Sequence, residues 1–170
     1  MPFLSMPITT VVLADACVLI NLVHTGRLAF CRDLPGKRFV IPPEALEEIR
    51  KPQREIVDSA IREGWLSVEA ITKIATFEVF NQLTLGLGRG EAACIALAVE
   101  NGWSIASDEK GRFRAEVKSR LRLDLLMGTK ELYLEAIRAG ILTVAEADRD
   151  KLLLERKRFK MSFASFRDLI

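Results

Sequence analysis

Short apolar runs alternate along the chain with longer stretches in which apolar residues recur at helical spacing. The runs that predict strands cover residues 9–14, 38–41, 65–68, 103–107 and 123–127. The stretches that predict helices cover residues 17–25, 44–50, 54–63, 75–85, 91–101, 109–120, 131–139 and 144–159. Strands that are apolar throughout are typical of parallel sheets covered on both faces. The pattern predicts an α/β fold, a three-layer α/β/α sandwich with a central parallel sheet and a C-terminal helical hairpin.

The length of 170 residues fits one compact domain. We place this domain at residues 1–170, with a core over about 8–128 and a helical extension over about 129–170. The tail, residues 161–170, is apolar and aromatic enough to dock against the rest of the domain.

Composition narrows the class of protein only slightly. The formal net charge is +2, so overall charge does not indicate nucleic-acid binding, and any basic surface would have to be local. Cys17, Cys31 and Cys94 are scattered, without the Cys and His spacing of a zinc site. Their odd number and apolar flanks indicate reduced, buried thiols, as is usual in the cytoplasm.

The N-terminal apolar run does not indicate a membrane segment. It covers residues 8–23, is interrupted by Asp15 and Asn21, and is shorter than the roughly 20 apolar residues of a spanning helix. Residues 1–10 contain no Lys or Arg, which a signal peptide would need. We therefore expect a cytoplasmic protein without a membrane partner.

Acidic residues follow several of the predicted strands. Asp15 comes directly after the first strand, and Asp108 directly after the strand at 103–107. Glu91 opens a helix behind a glycine-rich loop, and Glu48 borders the buried face of the helix at 44–50, whereas Glu47 points to solvent. Each acid alone could be a helix cap or could compensate the helix dipole. Together they are expected at one edge of the sheet, because the carboxyl ends of parallel strands meet there.

Carboxylates that converge in a partly dry site repel one another, and their pKa values rise unless a cation is present. Mg²⁺ and Mn²⁺ prefer oxygen ligands, and a metal held by carboxylates can activate water against a phosphodiester. This chemistry needs no catalytic His, Ser or Cys. The glycines before Glu91 are not followed by Gly-Lys-Ser/Thr, so they do not form the phosphate loop of an ATPase.

Four segments carry a further pattern. They read VVLAD followed by LINL (residues 11–15 and 19–22), IPPEALEEI (41–49), GRGEAACIALA (88–98) and IASDEKGR (105–112). In order, spacing and flanking residues they resemble the PIN domain family, most closely a prokaryotic, VapC-like subgroup. This subgroup also has the glycine-threonine turn at 128–129 and the helical hairpin at about 131–159. The resemblance therefore covers nearly the whole chain.

The resemblance implies a function and a set of partners. PIN domains are typically Mg²⁺- or Mn²⁺-dependent nucleases acting mostly on RNA, and many are toxins of toxin–antitoxin pairs. The expected partners are RNA, a small antitoxin protein and a second copy of the chain in a homodimer. By position, the catalytic, metal-binding acids are Asp15, Glu48, Glu91 and Asp108, and Glu109 is a further ligand through water.

Other polar residues near these motifs have supporting or alternative roles. Asn21 is expected to support the acid cluster through its amide. Arg89, Arg112 and Lys110 are candidates for contact with the RNA backbone, although surface ion pairs would explain the arginines equally well.

The sequence departs from the family pattern at one place, and this difference leaves other functions open. Many members of the family have Thr-Ser after the first acid, where this chain has Ala16 and Cys17. Loss of the two hydroxyl groups weakens support around a metal. A weakly active or inactive PIN-fold module that binds RNA or a protein is therefore an alternative, and a metal-dependent DNA nuclease is another.

Overall fold

A five-stranded, fully parallel sheet forms the centre of the protein. The computed structural model describes residues 9–170, and the part of the predicted domain before residue 9 lies outside the described residues. The strands are β1 (Thr10–Ala14), β2 (Lys37–Ile41), β3 (Leu66–Val68), β4 (Ser104–Ala106) and β5 (Leu126–Met127). Their order across the sheet is β3-β2-β1-β4-β5. The predicted parallel α/β architecture is confirmed.

Helices cover both faces of this sheet. They are α1 (Ala16–His24), α2 (Phe30–Asp33), α3 (Pro43–Glu48), α4 (Gln53–Arg62), α5 (Ile74–Leu83), α6 (Arg89–Asn101), α7 (Gly111–Arg120), α8 (Thr129–Arg138) and α9 (Val144–Arg156). Because side chains alternate along a strand, Val12 and Ala14 pack with α1, α4, α8 and α9, whereas Leu13 packs with α5, α6 and α7. Two apolar layers on opposite faces explain why the strands are apolar throughout.

The segment after β4 differs from the sequence prediction. β4 ends at Ala106 and α7 begins at Gly111, two residues later than the predicted start at 109. Residues 107–110 form neither helix nor strand, and the backbone at Lys110 is extended (φ −120°, ψ −159°). The side chains of these four residues are therefore not arranged along one face of a helix. This local geometry decides which acid faces which part of the protein.

A close approach between α3 and α6 brings two acidic residues to the same level. A Cβ atom at Gly90 would lie 2.9 Å from Cα of Ala45 and 2.7 Å from Oε1 of Glu48. Only glycine therefore fits at this position without moving α3. The contact holds the N-terminus of α6 against α3, beside Glu48 at the end of that helix.

The C-terminal hairpin packs on the α1 side of the sheet. Tyr133 of α8 is fully buried and lies between Phe30 and Phe166, at ring-centroid distances of 5.3 and 5.6 Å. Met161 and Phe166 are buried, so the tail docks against the domain as expected. Tyr133 also donates a hydrogen bond to Asp150, which forms an ion pair with Arg27 and so joins α9 to the core. Within residues 9–170, no helix has the length and hydrophobicity to cross a membrane.

Candidate metal centre

A cavity of about 240 Å³ opens at the carboxyl edge of the sheet, beyond β1 and β2. Among residues 9–170, four of the residues that line it are acidic and none is basic. These lining residues are Asp15, Ala16, Cys17, Ile20, Glu48, Gly88, Glu91 and Glu109. Negative charge concentrated in this way in a concave site favours a cation.

Asp15 forms the floor of the cavity and is only 2% exposed. It is the N-cap of α1, where its Oδ1 accepts a hydrogen bond of 2.9 Å from the backbone N–H of Ala16. Its Oδ2 accepts a hydrogen bond of 2.9 Å from the Ser107 hydroxyl, and the Cys17 thiol donates to the same oxygen at 3.5 Å. Burial raises the pKa of Asp15 in spite of these hydrogen bonds. Capping thus fixes the carboxylate, but it leaves a buried charge that a cation would stabilise.

Glu48 and Glu91 form the rim of the cavity. Glu48 accepts a hydrogen bond of 2.9 Å from the backbone N–H of Gly90, and Glu91 accepts one of 3.1 Å from the backbone N–H of Gly88. Burial raises the pKa of Glu91, and the nearby carboxylates of Glu109, Asp15 and Glu48 add to this effect. Both carboxylates are therefore oriented by backbone N–H groups at the N-terminus of α6, from the N-cap Gly88 and from Gly90 in the first turn.

Asp108 does not line this cavity, although it follows a strand just as Asp15 does. Its Oδ1 accepts a hydrogen bond of 2.8 Å from the backbone N–H of Thr129, and its Oδ2 accepts from the Thr129 hydroxyl and from the Asn21 amide. Burial raises the pKa of Asp108, against the lowering effect of these hydrogen bonds. Asp108 and Asn21 thus tie the end of β4 and α1 to the start of α8.

Glu109 takes the fourth acidic position on the rim. A carboxylate oxygen of Glu109, a carboxylate oxygen of Asp15 and the Cys17 sulfur all lie within 4.8 Å of one another. Ser107 and Glu109 lie beside Asp15, whereas the Asp108 carboxylate between them accepts hydrogen bonds from Thr129 and Asn21. The backbone N–H of Glu109 also donates to the Ser107 hydroxyl at 3.2 Å, which holds the two residues together.

Ser107 is a functional candidate that the sequence analysis did not single out. It is 4% exposed, and its hydroxyl donates a hydrogen bond to Asp15. The missing Thr-Ser hydroxyl groups are thus partly replaced from another strand. Its position in the sequence, at the end of an apolar run and immediately before the Asp-Glu pair, could have indicated that it lies near the acids.

The three basic residues expected near RNA lie at different places. Lys110 lines a second cavity beside the metal centre. The Arg112 side chain lies against Gly86, where an added Cβ atom would clash with the guanidinium group. Arg89 lies over the ring of Phe80, with 5.3 Å from its guanidinium carbon to the ring centroid. Neither arginine lines either cavity.

The donor set of the first cavity fits a hard divalent cation. Carboxylate oxygens from Asp15, Glu48, Glu91 and Glu109 are the ligands that Mg²⁺ and Mn²⁺ prefer, and the cavity has room for the waters that Mg²⁺ retains. Burial raises the pKa of the Cys17 thiol, so this sulfur is protonated and acts as a hydrogen-bond donor.

A parallel α/β sandwich with a carboxylate-lined cavity beyond its central strand is an arrangement that can hold a divalent metal. A family model described as a PIN domain matches residues 11–163. The chain therefore belongs to the PIN domain family, whose members are generally metal-dependent nucleases. No curated protein and no solved structure matches the chain.

Proposed function

We propose that the protein is a divalent-metal-dependent endoribonuclease that acts as a VapC-like toxin of a toxin–antitoxin pair. The observation that carries the proposal is the cavity at the sheet edge, where four carboxylates converge and Asp15 is buried with a raised pKa. A bound Mg²⁺ or Mn²⁺ would supply Lewis acidity and lower the pKa of a water molecule.

The residues of the chain have distinct proposed roles. Asp15, Glu91, Glu48 and Glu109 hold the metal, directly or through water. Ser107 orients Asp15 by its hydroxyl group. Asp108 and Asn21 are assigned a positioning role, because their polar atoms are engaged with each other and with Thr129. Asp108 thus supports the backbone that directs Ser107 and Glu109 into the cavity.

RNA is the proposed substrate because the family acts mostly on RNA. The test is cleavage of single-stranded RNA and single-stranded DNA of the same sequence, each with Mg²⁺, with Mn²⁺ and with a chelator. We expect metal-dependent RNA cleavage that Asp15→Asn abolishes. Full cleavage by this variant would overturn the proposal, and cleavage of DNA alone would identify a metal-dependent DNA nuclease instead.

A PIN-fold binding module with weak or no catalysis is the second candidate. Ala16 and Cys17 favour it, because they provide a methyl group and a weak thiol donor beside Asp15 in place of two hydroxyl groups. A thermal shift with Mn²⁺ separates the candidates in part. A metal-binding nuclease should gain stability with Mn²⁺, whereas an inactive module whose site holds no metal should not.

A toxin role further implies a small antitoxin protein that covers the acidic cavity, and we propose a homodimer for the free protein. A short neighbouring reading frame encoding a DNA-binding protein would support the antitoxin, and copurification of its product would test it directly. Light scattering at several protein concentrations tests the homodimer, and a monomer mass throughout would contradict it.

A further inference from the structure

A second cavity, of about 280 Å³, adjoins the metal centre and has a different character. The two cavities share Glu109, which lines both. The second cavity lies between the segment after β4, the start of α8 and the C-terminal tail. Its complete lining is Ser107, Asp108, Glu109, Lys110, Arg114, Leu126, Gly128, Lys130, Glu131, Phe159, Lys160, Met161, Ser162 and Phe163.

Positive charge dominates the groups that remain available in this cavity. Four basic side chains line it, Lys110, Arg114, Lys130 and Lys160. Among residues 9–170, only one of them forms an ion pair: Nζ of Lys130 lies 3.2 Å from Oε1 of Glu131. The other three cations are exposed and free to meet an anion.

Two of the acidic residues in the lining already have hydrogen-bond or ion-pair partners. The Asp108 carboxylate accepts three hydrogen bonds from Thr129 and Asn21. Glu131 caps α8 by accepting a hydrogen bond of 2.8 Å from the backbone N–H of Gly128, and it also pairs with Lys130. Glu109 is the third acidic residue in the lining, and it also lines the neighbouring acidic cavity. The cavity therefore presents cations beside the acidic site.

Two half-buried aromatic rings complete the lining. Phe159 and Phe163 follow α9 and pack partly against the core. Phe163 is held by Phe166, at a centroid distance of 4.9 Å, and by the Lys151 ammonium at 5.5 Å. Cations that can meet phosphate, combined with fixed aromatic faces, are the combination by which proteins hold single-stranded nucleic acid.

We propose that this second cavity is a subsite for one nucleotide of the substrate strand next to the cleaved bond. The inference rests on the proposed nuclease function. Lys110, Arg114 and Lys160 contact the phosphate, and the base stacks against Phe159. Since Glu109 lies between the cavities, a strand whose phosphodiester reaches the metal centre places its adjoining nucleotide here. The strand has to be single-stranded, because only an unpaired base can reach a ring in a cavity.

Binding is measured by fluorescence anisotropy with a labelled 12-nucleotide single-stranded RNA of mixed sequence. The protein carries Asp15→Asn, so that the probe is not cut, and salt is varied. Arg114→Gln should weaken binding several-fold and lower the slope of log affinity against log salt by about 0.7, as for one lost phosphate contact on a single strand. Arg62→Gln is the matched control, because this exposed arginine ends α4 at the amino edge of the sheet.

Stacking is tested separately at Phe159. Phe159→Leu keeps an apolar side chain but removes the ring, and it should weaken binding about fivefold or more, as expected for a lost base–aromatic stack. Phe159→Tyr restores a ring and should restore the affinity. Circular dichroism and melting temperature establish that each variant is folded.

The outcomes separate this inference from the proposed function. Equal effects of Arg114→Gln and Arg62→Gln, or equal losses with Phe159→Leu and Phe159→Tyr, would overturn the subsite, even if the protein cleaves RNA. If Arg114 and Phe159 determine binding but no metal-dependent cleavage occurs, the second cavity binds a nucleotide of a bound strand, and both the nuclease proposal and the place of this nucleotide next to a cleaved bond fail.

Discussion

The ends of β1 and β4 look alike in sequence and differ in the structure. Each strand is apolar, lies in the middle of the sheet and is followed within two residues by an acid, Asp15 or Asp108. After β1 the helix begins at once, so Asp15 becomes its N-cap and faces the acidic cavity. After β4 four residues precede the helix, and Asp108 turns to the other side.

The two carboxylates consequently have different partners. Asp15 is surrounded by Glu48, Glu91 and Glu109, so its charge is opposed by like charges in the metal-free protein. Asp108 accepts hydrogen bonds from Thr129 and Asn21, so its charge is compensated by buried donors. The end of β1 is thus built for a cation, and the end of β4 is built to join α1, the sheet and α8.

The largest difference should appear in catalysis. Asp15→Asn removes a buried carboxylate from the proposed metal centre, and the loss in kcat/KM should exceed the roughly 10–100-fold that is typical of residues acting behind metal ligands. Asp108→Asn should fall within or below that range. Steady-state RNA cleavage at saturating Mn²⁺ measures both. A greater loss for Asp108→Asn would show that Asp108, not Glu109, belongs to the metal centre.

Removal of the Asp108 carboxylate should also lower stability. Asp108→Ala leaves the buried Thr129 N–H without its acceptor, at a cost of about 1–3 kcal/mol, whereas the Asn21 amide loses one acceptor and keeps the Thr129 hydroxyl. We expect a melting temperature several degrees lower, measured by calorimetry without metal. Asp124→Ala is the matched control, because Asp124 is exposed and pairs only with the neighbouring Arg122. Equal destabilisation by the two substitutions would contradict the joining role of Asp108.

Asp15→Asn should instead raise the melting temperature of the metal-free protein at pH 7, because it replaces a buried charge with a neutral group. The pKa of Asp15 is raised on folding, so the folded protein binds the proton more tightly than the unfolded chain. This carboxyl therefore does not oppose folding below its unfolded pKa, and it lowers stability as pH rises through its folded pKa. The gain from Asn should accordingly vanish in acid. Melting curves at several pH values measure it, and a destabilised variant at pH 7 would contradict the assignment.

The sequence predicted the sheet and most helices. Strands that are buried on both faces are apolar throughout, and helices that bury one face have apolar residues at helical spacing. It also predicted that acids would gather at the carboxyl edge. It did not predict α2, which covers only four residues and is too short for a periodic signal.

The sequence was less informative about the direction of side chains after β4. A helix starting at 109 would make Asp108 its N-cap, but the helix starts at Gly111, and Ser107 and Glu109 instead lie beside Asp15. A shift of two residues at a helix start lies within the usual uncertainty of a sequence-based boundary. The same shift also creates the basic cavity, whose lining combines α7 with a tail about 50 residues further along the chain. No local pattern could relate the two.

The smallest expected effect concerns the hydroxyl group beside Asp15. Cys17→Ser restores a hydroxyl that many family members have, but Ser107 already donates to the same Asp15 oxygen at 2.9 Å. The gain in kcat/KM should therefore stay below the roughly tenfold at which effects behind metal ligands usually begin. Ser107→Ala should reduce kcat/KM by more than Cys17→Ser raises it, and the double variant should recover part of the loss, because its new hydroxyl can replace the old one. A gain above tenfold from Cys17→Ser alone would instead mean that Ser107 does not replace the missing hydroxyl, and that the residues after Asp15 limit this nuclease.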